Sequence, residues 1–134
     1  MAGLSTIEGI GEKYGAKLKS AGVRSLEGLL KAGSGKKGRK ELAKKSGLKE
    51  KQILNWVNRA DLARIKGVGT QYADLLECAG VDTVPELAQR KPENLHAKMV
   101  EVNRVKKLVR QIPSLSLVYS WVKQAKELPR VVTH

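Results

Sequence analysis

Five residues near the start of the chain, Ile7-Glu8-Gly9-Ile10-Gly11, return as Ile65-Lys66-Gly67-Val68-Gly69, and no other feature constrains the fold as strongly. Glycine reaches backbone angles closed to other residues and lets a second backbone or a phosphate come close. In both copies the second glycine precedes a stretch with helical periodicity. The first amides of such a helix have no intrahelical partner and lie at the positive end of its dipole, which together favour an anion. The aliphatic residue between the glycines, Ile10 or Val68, is suited to plug into the core and hold the turn.

The likeness extends beyond the glycines. At an offset of 58, residues 7–30 align with 65–88 and nine of the 24 pairs are identical. They include Tyr14/Tyr72, Leu18/Leu76, Ala21/Ala79, Gly22/Gly80 and Val23/Val81. A repeat sets the architecture, and two copies make a pseudo-symmetric pair rather than a solenoid.

Each copy reads as helices. Ser5-Thr6-Ile7-Glu8 forms a capping box pattern. After Gly11, Tyr14, Leu18 and Ala21 share one stripe. Gly15, matched by Ala73, is small where two helices cross. Gly22 and Gly80 stand where left-handed caps belong, with Val23 and Val81 completing Schellman motifs. A helix is expected over about Ser25–Lys31, and Thr83-Val84-Pro85-Glu86 is a second capping box. Gly33–Lys40 reads as a flexible basic loop leading into a helix that ends near Gly47. Ile53, Val57 and Ala60 define the face of the next helix, with Trp56 beside them, and Arg59–Arg64 continues it. The second copy runs from Pro92 to about Gln111, stopped by Pro113, and closes with Leu115, Val118, Val122 and Ala125 beside Trp121. The reading is one all-α domain over 1–128, with repeats 1–64 and 65–128 and a frayed tail at 129–134.

Charge narrows the partners. The 134 residues carry 26 Lys+Arg against 13 Asp+Glu, a formal charge of +13. A surplus of that size points to a polyanion, nucleic acid first and an anionic membrane surface second. The single Cys78 excludes an internal disulfide and favours a reducing compartment. No apolar run approaches a membrane span and no signal-peptide pattern is present, so a cytoplasmic protein is expected, nucleoid-associated if it binds DNA.

Gly-aliphatic-Gly between helices, followed four places on by a small residue, resembles the helix-hairpin-helix pattern. Ile7-Glu-Gly-Ile-Gly-Glu-Lys-Tyr-Gly and Ile65-Lys-Gly-Val-Gly-Thr-Gln-Tyr-Ala both fit it. Nearly the whole chain also resembles an uncharacterised bacterial domain family with tandem hairpins of this kind, through Trp56-Val-Asn-Arg-Ala-Asp-Leu-Ala-Arg-Ile-Lys-Gly-Val-Gly and Ala79-Gly-Val-Asp-Thr-Val-Pro-Glu-Leu-Ala. The resemblance implies a pseudo-symmetric pair of hairpin units in one compact helical domain. It also implies sequence-independent contact with DNA phosphates.

The residues themselves supply candidates. In the first corner, amides of Gly9, Gly11 and Glu12 around Ile10 are placed to hold a phosphate, with Lys13 and Lys17 one turn apart adding charge. Glu12 opposes an anion there. In the second corner, Lys66, Gly67, Val68, Gly69 and the hydroxyl of Thr70 are candidates, opposed by Asp74 and Glu77. A basic run contributes Lys36, Lys37, Arg39, Lys40, Lys44 and Lys45 against Glu41. Residues 1–64 carry +9 and residues 65–134 carry +4, and that asymmetry favours a binding face over a merely solvated one. Arg104, Lys106, Lys107 and Arg110 read as a solvated helix face. No strand precedes either Gly-x-Gly stretch, so neither is a dinucleotide fingerprint. His96 and His134 lack ligand partners at metal spacing, and no catalytic pair is visible. No metal, no cofactor and no enzymatic activity are expected.

Two functions stay open. One is a sequence-independent nucleic-acid-binding protein, for duplex DNA ahead of RNA. The other is a protein-interaction or scaffold domain whose hairpins are structural and whose basic face meets an acidic partner. A lyase with a lysine nucleophile is a distant third.

Overall fold

A computed structural model describes residues 10–132, except for the side chain of Thr70. The capping box at Ser5–Glu8, Gly9 and His134 therefore lie outside the described residues. Eight helices form among them and no β-strand does: α1 (Glu12–Ser20), α2 (Leu26–Gly33), α3 (Lys36–Ser46), α4 (Glu50–Leu62), α5 (Thr70–Cys78), α6 (Val84–Ala88), α7 (Pro92–Lys106) and α8 (Leu115–Glu127). The fold is all-α. It divides into two compact units, residues 10–61 with 131–132 and residues 62–130, the division falling in the last turn of α4.

The first unit closes around Leu18, Leu29, Leu42, Ile53, Trp56 and Val57, all buried. α1 ends in a Schellman motif: Gly22 has φ +94°, Val23 N–H donates to Leu18 O at 2.9 Å, and Gly22 N–H donates to Lys19 O at 3.0 Å. The helix stops here because Gly22 adopts the left-handed region at no steric cost. Ser25 then caps α2, its Oγ accepting from Gly28 N–H at 3.0 Å. Val132, inside the stretch read as a frayed tail, is 2% exposed and belongs to this core.

The Gly33–Lys40 stretch is a corner rather than a flexible loop. Only Ser34 and Gly35 separate α2 from α3. A Cβ added at Gly33 would overlap the Val57 side chain, and one at Gly38 would overlap the carbonyl oxygen of Ala32. These glycines are there for close packing, which sequence composition alone cannot distinguish from mobility. Gly15 differs: a Cβ there would meet only Ile10 Cγ2, at an ordinary 3.9 Å.

The second unit is built on Leu62, Ile65, Leu75, Leu76, Leu87, Leu95, Met99, Val118 and Trp121, each fully buried. Its α5 ends as α1 does. Gly80 has φ +96°, Val81 N–H donates to Leu76 O at 2.9 Å, and Gly80 N–H donates to Glu77 O at 3.0 Å. Each unit also holds a tilted aromatic pair. Tyr14 and Trp56 have ring centroids 5.5 Å apart at 51°, and Tyr72 and Trp121 are 5.4 Å apart at 54°.

Several local expectations need correcting. Thr83 is the N-cap of α6 but its hydroxyl donates to Glu86 Oε1 at 3.3 Å instead of accepting from the helix, while Glu86 Oε2 receives the Asp82 N–H at 3.4 Å. The capping box is thus shifted by one residue on the carboxylate side. α4 ends at Leu62, so Ala63 and Arg64 form a turn. α7 ends at Lys106, short of the expected Gln111, because Lys107 turns into the left-handed region at φ 51°. Leu115, assigned to the core face of α8, is 38% exposed in its first turn.

Candidate nucleic-acid interface

The second glycine corner is described in full along its backbone. Ile65 N–H donates to Leu62 O at 3.1 Å and Val68 N–H to Ile65 O at 3.2 Å. Gly67, at φ +93°, occupies the third position of that turn, where a positive φ is required. Ile65 and Val68 are 1% and 5% exposed, so the two aliphatic residues anchor the turn from below. Lys66 lies between them and its backbone is held from α8: its N–H donates to Gln124 Oε1 at 2.9 Å, and Gln124 Nε2 donates to Lys66 O at 3.3 Å. A Cβ on Gly67 would stand 3.0 Å from the indole Nε1 of Trp121, itself buried and without a hydrogen-bond partner among the described residues.

Gly69 then opens α5 from an extended conformation, φ −90° and ψ −176°, with no side-chain cap. Its carbonyl accepts from Ala73 N–H at 2.9 Å. Gly67 and Gly69 are exposed and, with Gln71 and Tyr72, line an open cavity of about 430 Å³. Among the described residues the amides of Gly67 and Gly69 have no partner. The amides of Lys66 and Val68 are engaged inside the fold. The corner therefore offers fewer outward donors than its sequence suggests.

The first corner matches where it can be compared. Gly11 opens α1 at φ −85° and ψ −173°, again with no side-chain cap, and accepts from Gly15 N–H at 2.9 Å. Ile10 is 4% exposed. Lys13 is exposed and Lys17 half-buried on α1, with Glu12 exposed in the first turn.

The basic run separates into two kinds of residue. Lys36, Lys37, Lys40, Lys44 and Lys45 are exposed on α3. Arg39 is not part of that face. It is 4% exposed, and its Nη1 donates to Gly33 O at 2.8 Å and Ser34 O at 3.3 Å. It satisfies carbonyls that the end of α2 leaves open. Burial pushes its guanidinium below the usual arginine range, and the charge of Glu50 opposes that shift. α3 itself begins at Gly35 with no side-chain cap and no acidic residue in its first turn. Lys36 and Lys37 stand there instead, against the preference of the helix dipole. None of Lys13, Lys17, Lys36, Lys37, Lys40, Lys44 or Lys45 has an ion-pair partner among the described residues.

Sequence reasoning missed two side chains that shape these surfaces. Gln124 is 58 residues from the Lys66 backbone it holds, and no local pattern announces such a pair. Asn103 organises the turn after α7, with its amide on both backbone atoms of Val109. Among the described residues no three His, Cys, Asp or Glu come together in a way that could hold a metal. Among the described residues no helix is long and apolar enough to cross a membrane.

Neither curated proteins nor solved structures provide a match to the chain. One family model does, across residues 8–128, and on that extent the chain belongs to the family described as Domain of unknown function (DUF4332).

Proposed function

We propose that this chain binds nucleic acid without regard to sequence, with duplex DNA as its partner, through backbone phosphates. The observation that carries the reading is that Lys13 and the half-buried Lys17 on α1 and the exposed Lys36, Lys37, Lys40, Lys44 and Lys45 on α3 have no acidic partner among the described residues. Seven unpaired cations on one small unit repel one another, and neutralising them against phosphates releases condensed counterions. The open, uncapped starts of α1 and α5 add donors of the right kind. The resemblance of both glycine corners to helix-hairpin-helix motifs supports the same ligand by analogy of fold. In this reading Lys13, Lys17, Lys36, Lys37 and Lys40 supply charge. Gly11, Gly67 and Gly69 supply close backbone approach, Ile10 and Val68 hold the corners, and Lys66 and Thr70 flank the second. Arg39 supports the surface from beneath.

The Gln124 clamp on Lys66 favours a second reading, in which the second corner is structural and the basic face meets an acidic protein. Fluorescence anisotropy with a random-sequence duplex across a salt series separates the two. Phosphate binding requires log K to fall with log salt by about 0.9 per phosphate neutralised. Lys13→Glu with Lys17→Glu should weaken all duplex sequences alike. Absence of binding at micromolar protein and low salt overturns the proposal.

A further inference from the structure

The turn that follows α7 gathers a second group of cations. Arg104 and Lys106 close α7, Lys107 leaves it, and Arg110 follows, all four exposed and none with an ion-pair partner among the described residues. A frayed helix end would let these side chains wander. Here the backbone is locked. Asn103 Nδ2 donates to Val109 O at 3.0 Å and Asn103 Oδ1 accepts Val109 N–H at 2.9 Å, while Lys107 N–H donates to Asn103 O at 2.8 Å. Val109, 8% exposed, pins the far side into the core. Lys107 is the one non-glycine residue with positive φ among the described residues, at a site where glycine is the relaxed choice. Val105, 75% exposed, stands between two of the cations.

Cations at a helix C-terminus complement its dipole, but that accounts for Arg104 and Lys106 and gives no reason for a strained lysine at the cap. We infer that the Arg104–Arg110 turn is a pre-formed contact for the phosphate backbone of a nucleic acid, additional to the glycine corner of the same unit, to which it is tied by Tyr72, whose hydroxyl donates to Gln111 O at 3.1 Å. Holding four charges on a fixed backbone lowers the ordering cost of binding. The inference rests on the proposed function, and its test distinguishes the two.

The test compares the wild-type chain with Arg104→Gln, Lys106→Gln, Lys107→Gly and Arg110→Gln combined. All four positions are exposed and glycine suits the cap, so the fold is retained, which helical circular dichroism checks. Duplex affinity is measured over a salt series, alongside sedimentation with phosphatidylserine vesicles. The expected result is a loss of duplex affinity on the order of 10-fold or more at low salt, with a slope shallower by about 2 to 3. Wild-type binding with the variant unchanged in affinity and slope overturns this inference and leaves the proposed function standing. No wild-type binding to any nucleic acid overturns both. Loss of vesicle binding with duplex binding unaltered overturns it in favour of a membrane surface.

Discussion

Arg39 Nη1 donates to the carbonyl of Gly33 at 2.8 Å, so a cation from the most basic stretch of the chain closes a helix end beneath the surface instead of facing a ligand. Arg39→Met keeps the aliphatic stem and deletes the donors. Leaving the Gly33 and Ser34 carbonyls without them should cost about 1–3 kcal/mol. Urea unfolding reads that loss, and duplex affinity measured well below the melting temperature should stay within twofold of wild type. A large affinity loss in the folded variant would put Arg39 back on the binding face.

The glycines of the same corner make opposite predictions to Gly15. Alanine normally stabilises a helix interior by up to about 1 kcal/mol over glycine. Gly15→Ala should follow that rule, because its Cβ would find only an ordinary contact and alanine already stands at the matched position 73. Gly33→Ala and Gly38→Ala should instead destabilise by about 1–3 kcal/mol, since the new methyl overlaps Val57 or the Ala32 carbonyl and the corner must open. Thermal melts of the three variants give the signs directly.

Lys107→Gly alone should raise stability by about 1 kcal/mol, the left-handed penalty less the added chain entropy of glycine. The melting temperature would rise while salt-sensitive duplex affinity falls. A variant that melts lower shows that Lys107 is held by contacts that outweigh its backbone strain.

Gln124→Ala releases both backbone atoms of Lys66. The two lost hydrogen bonds predict about 1–2 kcal/mol of destabilisation in an exposed setting. Amide hydrogen exchange is the sharper readout. The Lys66 amide should be protected in the wild-type chain and exchange far faster in the variant, while Val68, bonded within the turn, changes little.

Much of this architecture is legible in residue order alone, and the reason is locality. Gly22-Val23 and Gly80-Val81 stop their helices through bonds five residues long, to Leu18 and Leu76. Ser25 caps α2 from three residues away. Such features depend on glycine's φ range and on side chains within one turn, so composition and spacing carry them. The doubling of the glycine corner, the apolar stripes and the surplus of lysine are of this kind, and they determine the helical class and the charge of the surface.

Tertiary packing decided what local rules leave open. Arg39 faces inward because the end of α2 comes within reach of its guanidinium, and Gly33 and Gly38 are required because neighbouring atoms fill the space a methyl would take. Gln124 holds Lys66 across 58 residues, and Asn103 ends α7 by taking the backbone of Val109. In each case a polar atom found its partner, or a small residue its necessity, only when distant chain segments met. Periodicity in the sequence states which face of a helix is apolar, and it is silent on what that face will touch.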